Sequence, residues 1–205
     1  MKINAFCTSD PIKALGSCQK VIYCGPAAFD DDRIVTIGLF DYKNTGDVYV
    51  PTILDDTFED ACDYVLSTGR KMTVRAAYDL NEAGLIEARY KLSPIMLLHK
   101  LGVIGSCTIV GGVCLDNDDL DLMAQENVPL VVTPTASAGY GYGFTPVCAA
   151  KKRGIRVGVG TFDGKYNDGM NLLDEAKLLL LTSNAEMRAE NSLSETDIKS
   201  ILEFK

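Results

Sequence analysis

Histidine and cysteine are the side chains whose chemistry is easiest to recognise, and this chain has a single histidine and several scattered cysteines. Its 205 residues include one histidine, His99, and seven cysteines that form no CxxC pair. A catalytic zinc needs about three protein ligands, and a catalytic thiolate needs a nearby base, usually histidine. An odd number of scattered cysteines predicts neither a disulfide framework nor a zinc ribbon. We predict that the cysteines are small buried residues in a reducing compartment and that His99 is structural.

Two further patterns superficially suggest a bound ion or cofactor. The acidic segment 116–121 resembles a calcium loop, but loop positions 6 and 12 hold Asp121 and Asn127 where glycine and glutamate are needed. Acidic residues at a helix N-terminus are the better interpretation. Gly158 and Gly160 begin a GxGxxG pattern, but the third glycine, Gly164, comes one residue too late. The sequence therefore predicts no cofactor.

The elements that must position any site alternate between strands and helices. Strands are predicted at 33–39, 71–77, 106–110, 128–133 and 155–159. Capping residues predict helices at 57–69, 93–101, 117–126, 145–154, 170–183 and 194–202. Segments 2–6, 21–24 and 48–50 fit further strands, although residues 1–30 are poorly assigned. This alternation predicts βα units, a mostly parallel sheet and a single domain over residues 1–205.

Charge and hydropathy exclude several classes of partner. The net charge of −8 argues against nucleic acid, which favours a basic face, and against anionic membranes. No apolar run approaches the roughly 20 residues of a membrane span. The first residues lack the apolar stretch of a secretory signal, so we expect a cytoplasmic protein.

Three stretches of the chain carry a family resemblance. LHKLGVIGS at 98–106, followed by VGGVCLD at 110–116, is similar to a helix, a strand and an "AHGVHLD" turn. VTPTAS at 132–137, with GFTPV at 143–147, is similar to a "CPTSN…GIAPV" loop and helix, and GIRVGVGTF at 154–162 is similar to "GVRVGLGTD". In this order and spacing, residues 71–181 resemble the amidohydrolase superfamily, in its deaminase and chlorohydrolase branch. The resemblance implies a TIM-like (β/α) barrel and hydrolysis by metal-activated water.

The positions that the resemblance assigns to the metal and its chemistry hold other residues. Arg75 and Tyr78 stand where the family has histidine and glutamate. Gly111 and Cys114 take the places of the two turn histidines, and Phe162 that of the metal-binding aspartate. The opening HxH strand and most of the flanking β-sandwich are missing, which predicts that the chain begins near the third or fourth barrel strand. Losing these ligands and adding a guanidinium argues against the family's metal-dependent hydrolysis.

Arg75 is the most informative of these substitutions. At the barrel mouth it would replace the positive charge of the metal and bind an anion or a carboxylate, together with Tyr78, Thr135 and Asp163 as candidate ligand-binding residues. The alternative is a buried salt bridge from Arg75 to Asp79 or Asp163 that neutralises a vacated pocket.

Asp163 and the segment 138–144 can likewise be interpreted either as functional or as purely structural. Asp163 is a general base if the register shifts by one residue, or a turn residue because it precedes Gly164. The segment 138–144 is a substrate loop presenting Tyr140 and Tyr142, or a tight glycine loop without a ligand.

The predicted fold is an incomplete or rearranged TIM-like (β/α) barrel of the metal-dependent hydrolase type. A complete barrel has eight strands and typically about 250 residues. Either residues 1–55 supply substitute strands that close the sheet, or an edge stays open. An open edge is normally covered, so we expect a homo-oligomer or a partner subunit.

Two functions follow from these observations. The first is a degenerate amidohydrolase-like protein without metal-dependent catalysis, which binds a small molecule, in particular an anion, or serves as an oligomeric scaffold. The alternative is a hydrolase of C–N bonds, of the amidohydrolase or deaminase type, with a rebuilt or partner-completed site.

Overall fold

Eight parallel strands form one sheet whose spatial order follows the chain order. The computed structural model describes residues 1–204. Each strand pairs in parallel with the next one along the chain. The strands are β1 Ile3–Cys7, β2 Lys20–Cys24, β3 Ile34–Leu39, β4 Val48–Val50, β5 Met72–Ala76, β6 Cys107–Gly111, β7 Leu130–Val132 and β8 Val157–Val159.

Helices connect most of these strands and cover the outside of the sheet. They are α1 Pro11–Ala14, α2 Phe58–Thr68, α3 Leu80–Tyr90, α4 Pro94–Lys100, α5 Asn117–Gln125, α6 Pro134–Gly139, α7 Val147–Lys152, α8 Leu172–Met187 and α9 Glu195–Glu203. The capping signals predicted six of them within a few residues. The sequence patterns missed α3 and α6.

Local side-chain bonds explain where several helices begin. The Ser93 hydroxyl accepts a hydrogen bond from the Met96 amide at the start of α4. Asp116 and Asp119 form a reciprocal capping box on α5, which confirms that these acidic residues belong to a helix N-terminus. Missed helix α3 begins at Asp79, whose carboxylate accepts from the Glu82 amide at 2.7 Å.

The sheet curls into a barrel that is nearly closed, with one seam between β1 and β8. Across this seam the Phe162 amide donates to the Phe6 carbonyl at 3.1 Å, and the Thr8 amide donates to the Phe162 carbonyl at 2.9 Å. A side chain at Gly160 would place a Cβ only 2.4 Å from the Phe6 carbonyl oxygen, so glycine permits this approach. The seam has a single parallel bridge, Cys7 to Phe162, rather than a full ladder. The predicted incomplete TIM-like barrel is confirmed.

The first part of the chain differs from one expectation. Residues 3–50 contribute four strands, so β5 is the fifth strand of eight and the chain does not begin near the third or fourth. The candidate strand segments 2–6, 21–24, 33–39 and 48–50 all correspond to strands of the sheet. Residues 1–55 therefore supply strands, as the first of the two arrangements has it, but the edge between β1 and β8 is only partly closed.

The apolar core has two parts. The larger lies between the sheet and the helices, and the smaller lies inside the barrel around Phe6, Tyr49, Val110 and Val131. Phe204, just after α9, packs against the inner cluster from the end of the barrel where the strands begin. Among the described residues, no helix combines the length and hydropathy needed to cross a membrane.

Candidate functional site

Four aromatic rings and one guanidinium meet at the end of the barrel where the strands finish. Arg75 is near the end of β5, and Tyr78 follows that strand. Phe162 follows β8, and the loop after α6 brings Tyr140 and Tyr142. In TIM barrels this face carries the active site because the βα loops converge there. We call these five side chains the mouth circle.

The contacts within the mouth circle form a closed series. The Arg75 guanidinium carbon lies 4.0 Å from the centre of the Tyr78 ring and 4.7 Å from that of Phe162. Ring centres are 5.6 Å apart for Tyr78 and Tyr142, and 5.4 Å apart for Tyr142 and Tyr140. Tyr140 returns to Phe162 at 6.4 Å. Each side chain is therefore held by two others of the set.

Arg75 has no carboxylate partner. The ion pairs of residues 1–204 do not include it. The salt bridge to Asp79 or Asp163 considered from the sequence is thus wrong, because Asp79 caps α3 and Asp163 serves a turn. Burial raises the pKa of the Tyr49 hydroxyl, and the Arg75 charge together with a hydrogen bond to Arg75 partly opposes this rise. Arg75 is partly buried, and among residues 1–204 it forms no salt bridge.

Gly111, where the resemblance placed a metal-binding histidine, makes room for Tyr78. Its φ is +104°, and a Cβ there would lie 2.6 Å from the Tyr78 Cβ. A side chain at 111 and the present Tyr78 cannot both be accommodated. Glycine and tyrosine at these two positions therefore depend on each other.

Glu82 is a buried carboxyl next to the mouth circle that the sequence analysis missed. It accepts hydrogen bonds from the Thr52 hydroxyl at 3.0 Å and the Tyr78 amide at 3.2 Å, and its side chain is fully buried. Burial raises its pKa to about 7, which the hydrogen bonds and the Arg75 charge only partly oppose. Its bonds fix the backbone of Tyr78. Glu82 was not predicted as a site residue because helix α3, which places it beside Tyr78, was not predicted either.

Asp163 lies beside the circle and performs the turn role. It accepts from the Lys165 amide at 3.0 Å and from the Tyr140 hydroxyl at 2.5 Å. The second bond raises the pKa of Tyr140 to about 12. The Lys165 ammonium lies 4.7 Å from the centre of the Tyr140 ring. Asp163 therefore orients one tyrosine of the circle without contacting Arg75.

Thr135 is engaged elsewhere. Its amide donates to the buried Glu175 at 2.9 Å, and its hydroxyl donates to the same carboxylate. Asn167 also donates to Glu175, at 2.9 Å. Burial raises the pKa of Glu175, whereas these bonds lower it. Thr135 thus ties α6 to α8, and the ligand-binding role predicted for it stays a prediction.

The side chains at the family's metal positions do not fit a metal ion. Arg75, Gly111 and Phe162 offer no ligating atom. Cys114 is partly buried, and burial raises its pKa, which disfavours a thiolate. Over residues 1–204 no group of three or more histidine, cysteine, aspartate or glutamate side chains is arranged to hold a metal. His99 is exposed on α4. The other six cysteines are buried, as predicted, whereas Cys114 is only partly buried.

A separate cavity of about 860 Å3 lies at the opposite end of the barrel. Its walls include Met1, Leu180, Ile198 and Leu202. It is mainly apolar and contains none of the residues of the mouth circle, so its size does not make it the candidate site.

Comparison with known proteins gives partial matches to deaminases and hydrolases. No protein-family model matches the chain. A 5-methylthioadenosine/S-adenosylhomocysteine deaminase of Thermococcus onnurineus is 32% identical over 114 residues, 55% of this chain and 27% of that protein. An S-triazine hydrolase of Gordonia rubripertincta is 31% identical over 105 residues, 50% of this chain and 22% of that protein. The matched segments thus span about a quarter of the length of these curated relatives.

Solved structures share the fold over most of the chain. A zinc-bound adenosine deaminase from Xanthomonas campestris superposes with a TM-score of 0.69 at 18% identity, over 85% of this chain and 40% of that one. An atrazine chlorohydrolase from Arthrobacter aurescens, complexed with zinc, gives 0.65 at 16% identity, over 90% and 49%. The curated relatives and structural neighbours are members of the amidohydrolase superfamily, and this chain is similar to them over part of its sequence and in its fold.

Proposed function

We propose that this protein binds a small anion at the mouth circle and does not carry out the metal-dependent hydrolysis of its relatives. The observation that carries this proposal is Arg75, a partly buried guanidinium at the end of the barrel where the strands finish, which forms no ion pair with any carboxylate of residues 1–204. An unpaired charge removed from water is costly, and a bound anion would offset that cost. A guanidinium is suited to carboxylates and phosphates because its N–H groups form a planar fork.

The contacts of Arg75 favour a ligand that approaches in the plane of the guanidinium. The guanidinium carbon of Arg75 lies over the rings of Tyr78 and Phe162, 4.0 and 4.7 Å from their centres. Such stacking leaves the N–H edge as the place for hydrogen bonds. Arg75 stands at a position where the resemblance places a metal ligand, and its positive charge there attracts an anion and repels a metal cation.

The test compares unfolding free energies in sodium acetate and in sodium chloride of equal ionic strength. Wild type should gain about 1.4 kcal/mol from acetate when its concentration is tenfold above Kd. Arg75→Met should abolish this gain. Arg70→Met is the matched control because Arg70 is an exposed arginine on the surface, and it should keep the gain. An equal gain in both variants would refute the proposal.

Metal content gives an independent test. Untagged protein purified without chelators should contain less than about one tenth of an equivalent of zinc, iron or manganese. A near-stoichiometric metal would contradict the proposal, and the cysteines and Asp163 would then be the first ligands to mutate.

The second candidate function is C–N bond hydrolysis by a rebuilt site. Two observations favour it: curated relatives are deaminases, and Glu82 has a pKa of about 7, a value suited to a general base. It predicts ammonia release from 5′-methylthioadenosine that is lost in Glu82→Gln as well as in Asp163→Asn and Arg75→Ala. Absence of turnover at high enzyme concentration would eliminate it.

The oligomeric state belongs to the same proposal. The seam between β1 and β8 leaves strand edges only partly paired, and we propose that a second copy or a partner subunit covers them. Sedimentation equilibrium tests the homo-oligomer, since a monomer at all concentrations would exclude it.

A further inference from the structure

We infer that the chain has a second binding site, separate from the mouth circle, for an aliphatic chain that ends in a carboxylate. The site is the cavity of about 860 Å3 at the opposite end of the barrel, which we call the basal cavity. Its apolar walls are formed by Leu180, Leu193, Ile198 and Leu202. The inference uses neither Arg75 nor the function proposed for the mouth circle.

The last two helices of the chain build the apolar walls. Leu180 comes from α8, Leu193 lies between the two helices, and Ile198 and Leu202 come from α9. Ile198 and Leu202 are four residues apart and therefore lie on the same face of α9. Leu180 and Ile198 are only partly buried, so they keep apolar surface that faces the cavity. A ligand with an apolar body would remove this surface from water.

The size and the composition of the basal cavity fit a small molecule. Ligand pockets have volumes of roughly 300 to 1,000 Å3 and mostly apolar walls with a few polar groups. The basal cavity falls within this range, and Gln19 and Ser194 are among its polar groups. None of the described residues that line it is aromatic, so ring stacking does not select the ligand. The walls therefore favour a flexible aliphatic body.

The charges around the basal cavity favour an anionic end on that body. Lys2 and Lys199 both line it, and the ion pairs of residues 1–204 include neither. The two carboxylates that line it are already stabilised. Glu203 forms an ion pair with the amino group of Met1 at 3.3 Å, and Glu195 is in the first turn of α9, at the positive end of the helix dipole. A carboxylate on the ligand would thus meet two ammonium groups that the chain leaves without an ion pair.

Isothermal titration calorimetry with hexanoate, octanoate and decanoate tests the aliphatic body. Wild type and Arg75→Met are titrated side by side, because the variant removes the site proposed at the mouth circle. Both should bind octanoate, and each added methylene should tighten binding by roughly two- to fourfold as more apolar surface is buried. Equal affinities for the three carboxylates would overturn the inference.

Two further probes test the charged end in the Arg75→Met background. Octan-1-ol has the same chain without a charge, and octylammonium has the opposite charge. We expect octanoate to bind roughly two- to tenfold more tightly than octan-1-ol, because exposed ion pairs each add a modest free energy. Octylammonium binding as tightly as octanoate would overturn the anionic end of the ligand.

Substitutions on α8 locate the binding in the same background. Leu180→Glu places a carboxylate in the apolar wall and should abolish octanoate binding. Leu181→Glu is the matched control, because Leu181 is the next residue of α8, is 54% exposed and is not among the residues that line the cavity. It should keep the affinity. Octanoate binding that survives Leu180→Glu unchanged would contradict the assignment to this cavity.

A second set of variants leaves the walls intact, because Leu180 also packs against the core. The double substitution Lys2→Met and Lys199→Met should lower the affinity for octanoate to that for octan-1-ol. Lys177→Met is its control, since Lys177 is exposed on α8 and does not line the cavity. Circular dichroism checks that each variant is folded. An unchanged preference for octanoate in the double variant would overturn the role of the two lysines.

The remaining outcomes separate this inference from the proposed function and from another occupant. Octanoate binding that wild type shows and Arg75→Met lacks would place the ligand at the mouth circle, which overturns the inference and supports the proposed function. A dimer that dissociates in Leu180→Glu during sedimentation equilibrium, without any octanoate binding, would assign the cavity to a second copy of the chain and overturn the inference as well.

Discussion

Neutralising Glu82 should change how stability depends on pH. This carboxyl is fully buried, and its pKa rises from 4.5 to about 7 in the folded chain. Between those values the folded chain holds a proton that the unfolded chain has lost. Stability therefore falls as pH rises through this interval, by about 1.4 kcal/mol for each pH unit, or roughly 3 kcal/mol in all. The favourable contribution is complete below about pH 4.5 and lost above about pH 7.

The assay is urea unfolding of wild type and Glu82→Gln at intervals from pH 4 to pH 8. The difference in unfolding free energy between them should shift by roughly 3 kcal/mol across this range, with wild type losing stability relative to the variant as pH rises. Taking the difference removes the contributions of Glu175 and Asp119, whose pKa values are also raised. Glu87→Gln is the matched control, because Glu87 is exposed on the same helix. Parallel curves for wild type and Glu82→Gln would refute the argument that burial dominates at this position.

Three other substitutions or reactions test the packing. Gly111→Ala should lower the unfolding free energy by about 2 kcal/mol or more, because the residue has φ of +104° and its new Cβ would overlap Tyr78. Gly46→Ala is the control: a Cβ at that position has no atom within 4 Å, so the variant should unfold in urea almost as the wild type does. Phe204→Ala should cost about 2 kcal/mol or more by removing the ring that packs on the inner cluster, and Phe204→Leu should recover part of it in the same assay. A thiol reagent should label Cys114 first in the folded chain and reach the six buried cysteines only after unfolding; rapid labelling of all seven would contradict the packing.

The sequence predicted the second half of the barrel better than the first. From residue 71 onward, apolar strands and capping residues such as Ser93 and Ser194 coincide with observed elements because these signals are local, although α3 and α6 were missed. Before residue 51 the segments are poorly assigned, and the seam between β1 and β8 depends on contacts between residues more than 150 positions apart, such as Asn4 with Thr161. Local patterns do not encode such pairings.

The candidate site, like the fold, was predicted only in part. The sequence selected Arg75 and Tyr78 and left open the role of Tyr140 and Tyr142, because each departs from a motif or lies in a glycine loop. It did not indicate that the four make one continuous set of contacts with Phe162. The sequence also did not indicate that Thr135 lies outside this set of contacts, because only the fold shows that its hydroxyl donates a hydrogen bond to Glu175. Residue type identifies the exceptional positions, and tertiary structure decides which of them meet.

The mutual dependence of Gly111 and Tyr78 makes the side chains at the barrel mouth hard to exchange one at a time. A histidine at 111 would collide with the tyrosine, and an acidic residue at 78 would remove a ring that contacts Arg75. An aspartate at 162 would likewise lose the stacking on Phe6. Each of these changes made alone therefore disrupts packing before it adds a ligating atom, so a metal site at these positions would require several simultaneous substitutions.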